Sequence, residues 1–122
     1  MSGGTRDEKG RWGEAVTADW LRRQGAVILA ERWRCRWGEI DLIAEDETFL
    51  RFVEVKLRGG GGTASGLEAV DRRKQARLRT TAELYLSEHP TEKQPRFDVA
   101  EVYAPHGMER ETASIIYIED AF

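Results

Sequence analysis

Two alternating segments joined by a short polar stretch constrain this chain more than any other feature. Trp37-Gly38-Glu39-Ile40-Asp41-Leu42-Ile43-Ala44 alternates polar and apolar residues over most of its length, the period-two pattern of a β-strand. Phe52-Val53-Glu54-Val55-Lys56 reads as a second strand, and Glu45-Asp46-Glu47-Thr48 between them as a polar turn. Strands so closely connected form an antiparallel hairpin. With the turn centred on Asp46-Glu47, paired residue numbers sum to 93, so Asp41 faces Phe52 and Glu39 faces Glu54. Glu54 and Lys56 are two residues apart and project from one face, which Asp41 shares. Diagonal neighbours across such a pair lie roughly 7–8 Å apart, near enough for two carboxylates to share one divalent cation.

These residue types suit one chemistry. Mg²⁺ takes oxygen ligands in octahedral geometry and keeps several waters. Two carboxylates supply charge while leaving positions for a phosphate oxygen and a water that the metal acidifies. A lysine beside them orients that water or offsets charge in the transition state. The result is a phosphodiester-cleaving arrangement. The same three side chains also make an ion-paired sheet face, which contributes little to stability, and spacing alone does not separate the two.

Asp41…Glu54-Val55-Lys56 resembles the PD-(D/E)XK nuclease signature. The surrounding string is more specific: Gly13-Glu14, Arg36-Trp37-Gly38-Glu39-Ile40-Asp41-Leu42-Ile43, Phe52-Val53-Glu54-Val55-Lys56, Glu68-Ala69-Val70, Lys74 with Arg77, Phe97-Asp98-Val99 and Ala121-Phe122. In this order, over nearly the whole chain, it resembles the YraN family of small bacterial proteins. That family is similar in fold to archaeal Holliday-junction resolvases, although Thr17 stands where it tends to have alanine. The resemblance implies a restriction-endonuclease-like fold, a mixed β-sheet flanked by helices in the order α-β-β-β-α-β-β. It implies Asp41 and Glu54 as ligands of Mg²⁺ or Mn²⁺, Lys56 as the residue orienting water, and Glu14 as the helix-borne acid completing the shell. It also implies DNA, branched or single-stranded, as partner, and a homodimer with paired sites. The alternative is a non-catalytic nucleic-acid-binding or interaction protein on the same fold.

The 122 residues suffice for one domain with a modest core, and 40% hydrophobic with 34% charged residues is a globular composition. No apolar run approaches the ~20 residues of a membrane helix, and residues 1–10 are polar, so neither a membrane span nor a signal peptide is expected. The single cysteine, Cys35, excludes an internal disulfide and suits a cytoplasmic location. The net charge of −3 taken alone argues against a nucleic-acid binder, but its distribution matters more. Residues 67–80 carry Arg72, Arg73, Lys74, Arg77 and Arg79 against Glu68 and Asp71, whereas residues 81–122 carry nine acids against three bases. A cleft can be basic in an acidic protein. Arg72, Arg73, Lys74 and Arg77 are therefore candidates for holding a phosphate backbone, with a solvated helix face as the plain alternative.

The remaining elements are expected as follows. Thr5 to Gln24 reads as a helix ended by Gly25, with an apolar stripe of Trp12, Val16 and Trp20; Ala18 and Leu21 share the opposite side with Glu14. Ala26 to Cys35 reads as a strand with Val27, Leu29 and Trp33 on one face. Gly59 to Gly66 reads as a loop, a flap over the site or a disordered segment. Leu67 to Glu88 reads as a second helix whose buried stripe of Leu67, Val70, Leu78, Ala82 and Tyr85 is interrupted by Lys74, aimed at phosphate or a carboxylate. Gln75 lies about 100° round the helix and ranks below it. Arg96 to Ala104 and Ser114 to Glu119 complete the strands. Arg32, Arg34 and Arg36 interleave with Trp33, Cys35 and Trp37, a pattern suited to backbone contact and base stacking. The tryptophans are expected in the core, and Arg36 is retained as a nucleic-acid candidate. Glu39 is an outer-shell acid or a second ligand, and Asp98 a structural cap or ion-pair partner. His89 and His106 lack zinc-site neighbours, no phosphate-binding glycine loop or serine triad is present, and Cys35 has no activating histidine nearby.

Overall fold

The computed structural model describes residues 4–59 and 71–122. Among the described residues, seven elements follow in the expected order: α1 (Arg6–Arg23), β1 (Val27–Cys35), β2 (Gly38–Glu45), β3 (Phe49–Gly59), α2 (Arg72–Glu88), β4 (Gln94–Ala104) and β5 (Ser114–Ile118). The strands form one mixed sheet in the order β1-β2-β3-β4-β5, with β3 and β4 parallel and the other neighbours antiparallel.

Alternation along the central strands divides the core between two faces. Ala18 and Leu21 of α1 pack on Leu42, Ala44, Val53 and Ala100. On the other face, Leu78, Ala82 and Tyr85 of α2 pack on Ile43, Phe52 and Val99. Thr5 starts α1 with a capping box: its hydroxyl accepts from the Glu8 N–H at 3.0 Å and its own N–H donates to Glu8 at 2.8 Å. Gly25, at φ +94°, follows the last turn. The most buried stripe of α1 is Glu14, Thr17, Ala18 and Leu21, together with Val16. Trp12 and Trp20 flank it half-buried, because two aromatics at the helix edge can rest on neighbouring strands, as Trp20 does on Tyr117. Among the described residues, no helix is long and apolar enough to cross a membrane.

Four expectations need correction. The β2–β3 pairs Leu42–Val53, Ile43–Phe52, Ala44–Arg51 and Glu45–Leu50 sum to 95, not 93. Asp46 causes the shift: its carboxylate accepts from the N–H groups of Thr48 and Phe49, and its N–H bonds the Phe49 carbonyl, which tightens the loop to Glu47-Thr48. A shift of two preserves every side chain's face. In β1, the register slips between Ile28 and Ala30, and this bulge leaves Val27 and Leu29 exposed rather than inward. Helix α2 starts at Arg72, because extended Asp71 caps it by accepting from the Lys74 N–H at 2.9 Å. Leu67, Val70, Glu68-Ala69-Val70 and the glycine loop beyond Gly59 lie outside the described residues. Finally, Trp33 packs against the α2-side core as expected, whereas Trp37 is 48% exposed.

Asp98 is structural, as its sequence context suggests. It is wholly buried and accepts from Arg96 twice, from the Tyr117 hydroxyl at 2.6 Å and from the Asp120 N–H.

A candidate metal centre where two strands part

The β2–β3 ladder stops at the Leu42–Val53 pair. Beyond it, the Val55 N–H donates to the Asp41 carboxylate at 2.8 Å. A side chain therefore occupies the place of a ladder carbonyl, and the gap between the strands holds two acids. Continued one step, the register sets Asp41 against Glu54 rather than Phe52. Glu54 is buried, and its charge acts on Asp41. Burial first, and then the Glu54 charge, push the Asp41 carboxyl up to about 8, against the opposing pull of the Val55 N–H.

Two ammonium groups converge on Glu54. Lys56, two residues along β3, reaches it at 3.1 Å. Lys74, from the first turn of α2, also pairs with it. The residue that interrupts the apolar stripe of α2 is thus the one the helix delivers to the site. Burial and the neighbouring Lys74 hold Lys56 below its ordinary value. Burial acts in the same direction on Lys74, but its bond to Glu54 prevails and raises it.

The pair lies in a groove. A pocket of about 260 Å³ on the α2 side is lined by Gly38, Glu39, Asp41, Glu54, Lys74 and Arg77 among others. A cleft of about 660 Å³ continues over Asp41, Glu54 and Lys56 to Glu14, Arg32 and Arg34. Helix α1 runs close over β3 here, where a Cβ on Gly13 would meet Val55 at 3.5 Å, an ordinary contact. Glu14, one residue on, is buried in the cleft wall. It accepts from Arg32 Nε at 2.7 Å, and burial outweighs that pairing to raise its pKa. Among the described residues no three carboxylate, imidazole or thiolate groups stand close enough to hold one ion. The close pair is Asp41 with Glu54, and Glu14 is engaged by Arg32 instead of completing it.

The other sequence candidates divide. Arg77 lines the pocket, and Glu39 lines both cavities while pairing with Arg34 at 3.2 Å. Arg72 and Arg73 are exposed on the first turn of α2 without lining either cavity. Arg36 sits at the β1–β2 turn, 4.7 Å from the Trp37 ring centroid. Sequence reasoning grouped Arg32 with Arg34 and Arg36 as a backbone-contact pattern and missed its pairing with Glu14. Arg32 occupies a left-handed backbone conformation, φ +50°, that an arginine seldom adopts, and its guanidinium joins Glu14 and Asp7. No residue pattern announces that turn of the chain.

Comparison with known proteins gives a family for the chain. The model of a family described as "Uncharacterised protein family UPF0102" matches residues 13–102. A UPF0102 protein of Synechococcus sp. (strain JA-3-3Ab) is 46% identical over 117 residues, covering 93% of this chain and 89% of its own. One of Parafrankia sp. (strain EAN1pec) is 50% identical over 95 residues, 77% and 80% of the two chains. One of Clostridium botulinum (strain 657 / Type Ba4) is 42% identical over 95 residues, 76% and 77% of the two.

Proposed function

The chain belongs to the UPF0102 (YraN) family, and we propose that it is a divalent-metal-dependent nuclease that hydrolyses phosphodiester bonds of DNA, branched and single-stranded forms included. The observation that carries this reading is the opposition of Asp41 and Glu54 in an open groove, with Lys56 and Lys74 beside them. The donors fit Mg²⁺ or Mn²⁺: hard carboxylate oxygens, two in number, opening onto a cavity that leaves room for water and a phosphate oxygen.

Asp41 and Glu54 would hold the ion. When bound, it supplies Lewis acidity and a more acidic water. The protein's own groups do the rest. The Val55 N–H fixes the Asp41 carboxylate, so the donor pair is preorganised. Lys56, held below its ordinary pKa, orients the attacking water. Lys74 and Arg77 offer positive charge to the phosphate, and Arg72, Arg73 and Arg36 extend it outward along the strand. Pairing of two copies, with two such sites, belongs to the same proposal.

One observation favours a non-catalytic module instead. Lys56 and Lys74 already pair with Glu54, and the raised Asp41 carboxyl holds a proton at neutral pH, so the site carries no excess negative charge to draw an ion. Calorimetric titration with Mn²⁺, with cleavage of labelled DNA measured alongside, separates the readings. The nuclease reading expects binding that Glu54→Ala abolishes, and cleavage that Lys56→Ala reduces by about 10²-fold or more in a protein that still folds. Absence of binding and of cleavage in wild type would leave the module.

A further inference from the structure

Trp37 is the one exposed aromatic side chain among the described residues. Exposing an indole forgoes the burial of a large apolar surface. Scattered surface apolar residues are common, but this one sits on a turn that is held in place. Arg36 and Trp37 alone connect β1 to β2. The Trp37 backbone N–H donates to Cys35 Sγ at 3.3 Å, and the Arg36 guanidinium sits 4.7 Å from the ring centroid. Gly38, at φ +155°, packs so tightly on α2 that a Cβ there would stand 3.2 Å from Thr81 Oγ1. The turn is thus seated against the helix that carries Lys74 and Arg77, and Gly38 itself lines the pocket containing Asp41 and Glu54. Asp41 lies four residues along β2, roughly 13 Å from Trp37, a distance of a few nucleotides.

We infer that Trp37 is a stacking platform for an unpaired nucleobase of the strand whose phosphate enters the groove. The inference rests on the nuclease reading and assigns to one residue the recognition of unstacked bases, as in single-stranded regions, flaps and junctions. A duplex offers no free base face to the ring, whereas every base of an open strand does. Arg36, beside the indole, supplies charge for the adjoining phosphate and a second planar group for stacking.

The test is binding at fixed salt without added divalent ion, so that nothing is cut. Wild type, Trp37→Ala and Trp37→Phe are compared on an oligo-dT strand, an oligo-rU strand and a blunt duplex. Trp37→Ala should weaken single-strand binding by roughly 5- to 150-fold and duplex binding by less than twofold. Trp37→Phe should retain much of the affinity, while the fluorescence quenching that the strand causes in wild type is lost. Weakening confined to oligo-dT or to oligo-rU would place the contact on DNA or on RNA. Equal losses on duplex and single strand, or none on either, would overturn the stacking role while leaving the nuclease reading standing. Failure of wild type to bind any nucleic acid would overturn both. Because the side chain is exposed, the variants should match wild type in melting temperature, so altered folding does not confuse these outcomes.

Discussion

Asp41→Asn should make the protein more stable while removing its proposed activity. Asn is isosteric with Asp. Its amide oxygen can keep the Val55 N–H bond now made at 2.8 Å, and its amide N–H groups can donate to Glu54. The change removes a buried charge from beside another of the same sign. The Asp41 carboxyl is pushed up to about 8, chiefly by burial, from an unfolded value near 3.9. An acid raised in this way stabilises the fold fully below its unfolded pKa and loses that contribution as pH rises through its folded pKa. The folded state then holds a proton that the unfolded chain has released, over the window from about pH 4 to about pH 8. Some four pKa units set a ceiling of about 5 kcal/mol; the amide that replaces the acid is itself a buried polar group, which leaves an expected gain of roughly 1–3 kcal/mol at pH 8. For a domain of this size that is an increase of about 3–12 °C in melting temperature. Metal-free thermal melts of both proteins at several pH values measure it. The gain should be largest at pH 8 and shrink towards pH 4. Adding Mn²⁺ at ten times its Kd should then raise wild type alone, by about 1.4 kcal/mol. A variant less stable than wild type at pH 8, or a gain independent of pH, would refute the reasoning.

Other substitutions probe the scaffold. Asp98→Ala strands the buried Arg96 guanidinium and the Tyr117 hydroxyl; a loss of about 3–5 kcal/mol is expected in urea unfolding, against a smaller one for Asp98→Asn. Asp46→Ala removes the acceptor for Thr48 and Phe49 and the partner of Arg51, and should cost roughly 1–2 kcal/mol at neutral pH. The Asp46 carboxyl is lowered to about 2, since those donors outweigh the opposing effect of burial. Its contribution is therefore present above about pH 4 and lost as pH falls towards 2, so wild type and variant should converge in acid.

The hairpin, its residue types and the order of elements were legible because they depend on period-two and period-3.6 patterns, which local sequence carries directly. The constellation of Asp41, Glu54 and Lys56 survived a wrong register because the error was two residues, and strand faces repeat every two. Lys74 was legible as a charged residue within an apolar stripe. Features that depend on backbone irregularity were hidden. The β1 bulge reversed the faces of Val27 and Leu29, and the left-handed turn at Arg32 put its guanidinium on Glu14. Nor could composition place Trp37 outside the core. An indole next to a strand reads as core until the two-residue turn and the Gly38–Thr81 contact are known.

The central claim is tested most directly by incubating wild type and Asp41→Ala with labelled four-way-junction, flap, single-stranded and duplex DNA in Mn²⁺ or Mg²⁺. The account predicts cleavage by wild type that requires the metal and disappears in Asp41→Ala. No cleavage of any substrate by folded wild-type protein, or cleavage that persists in Asp41→Ala, would contradict it.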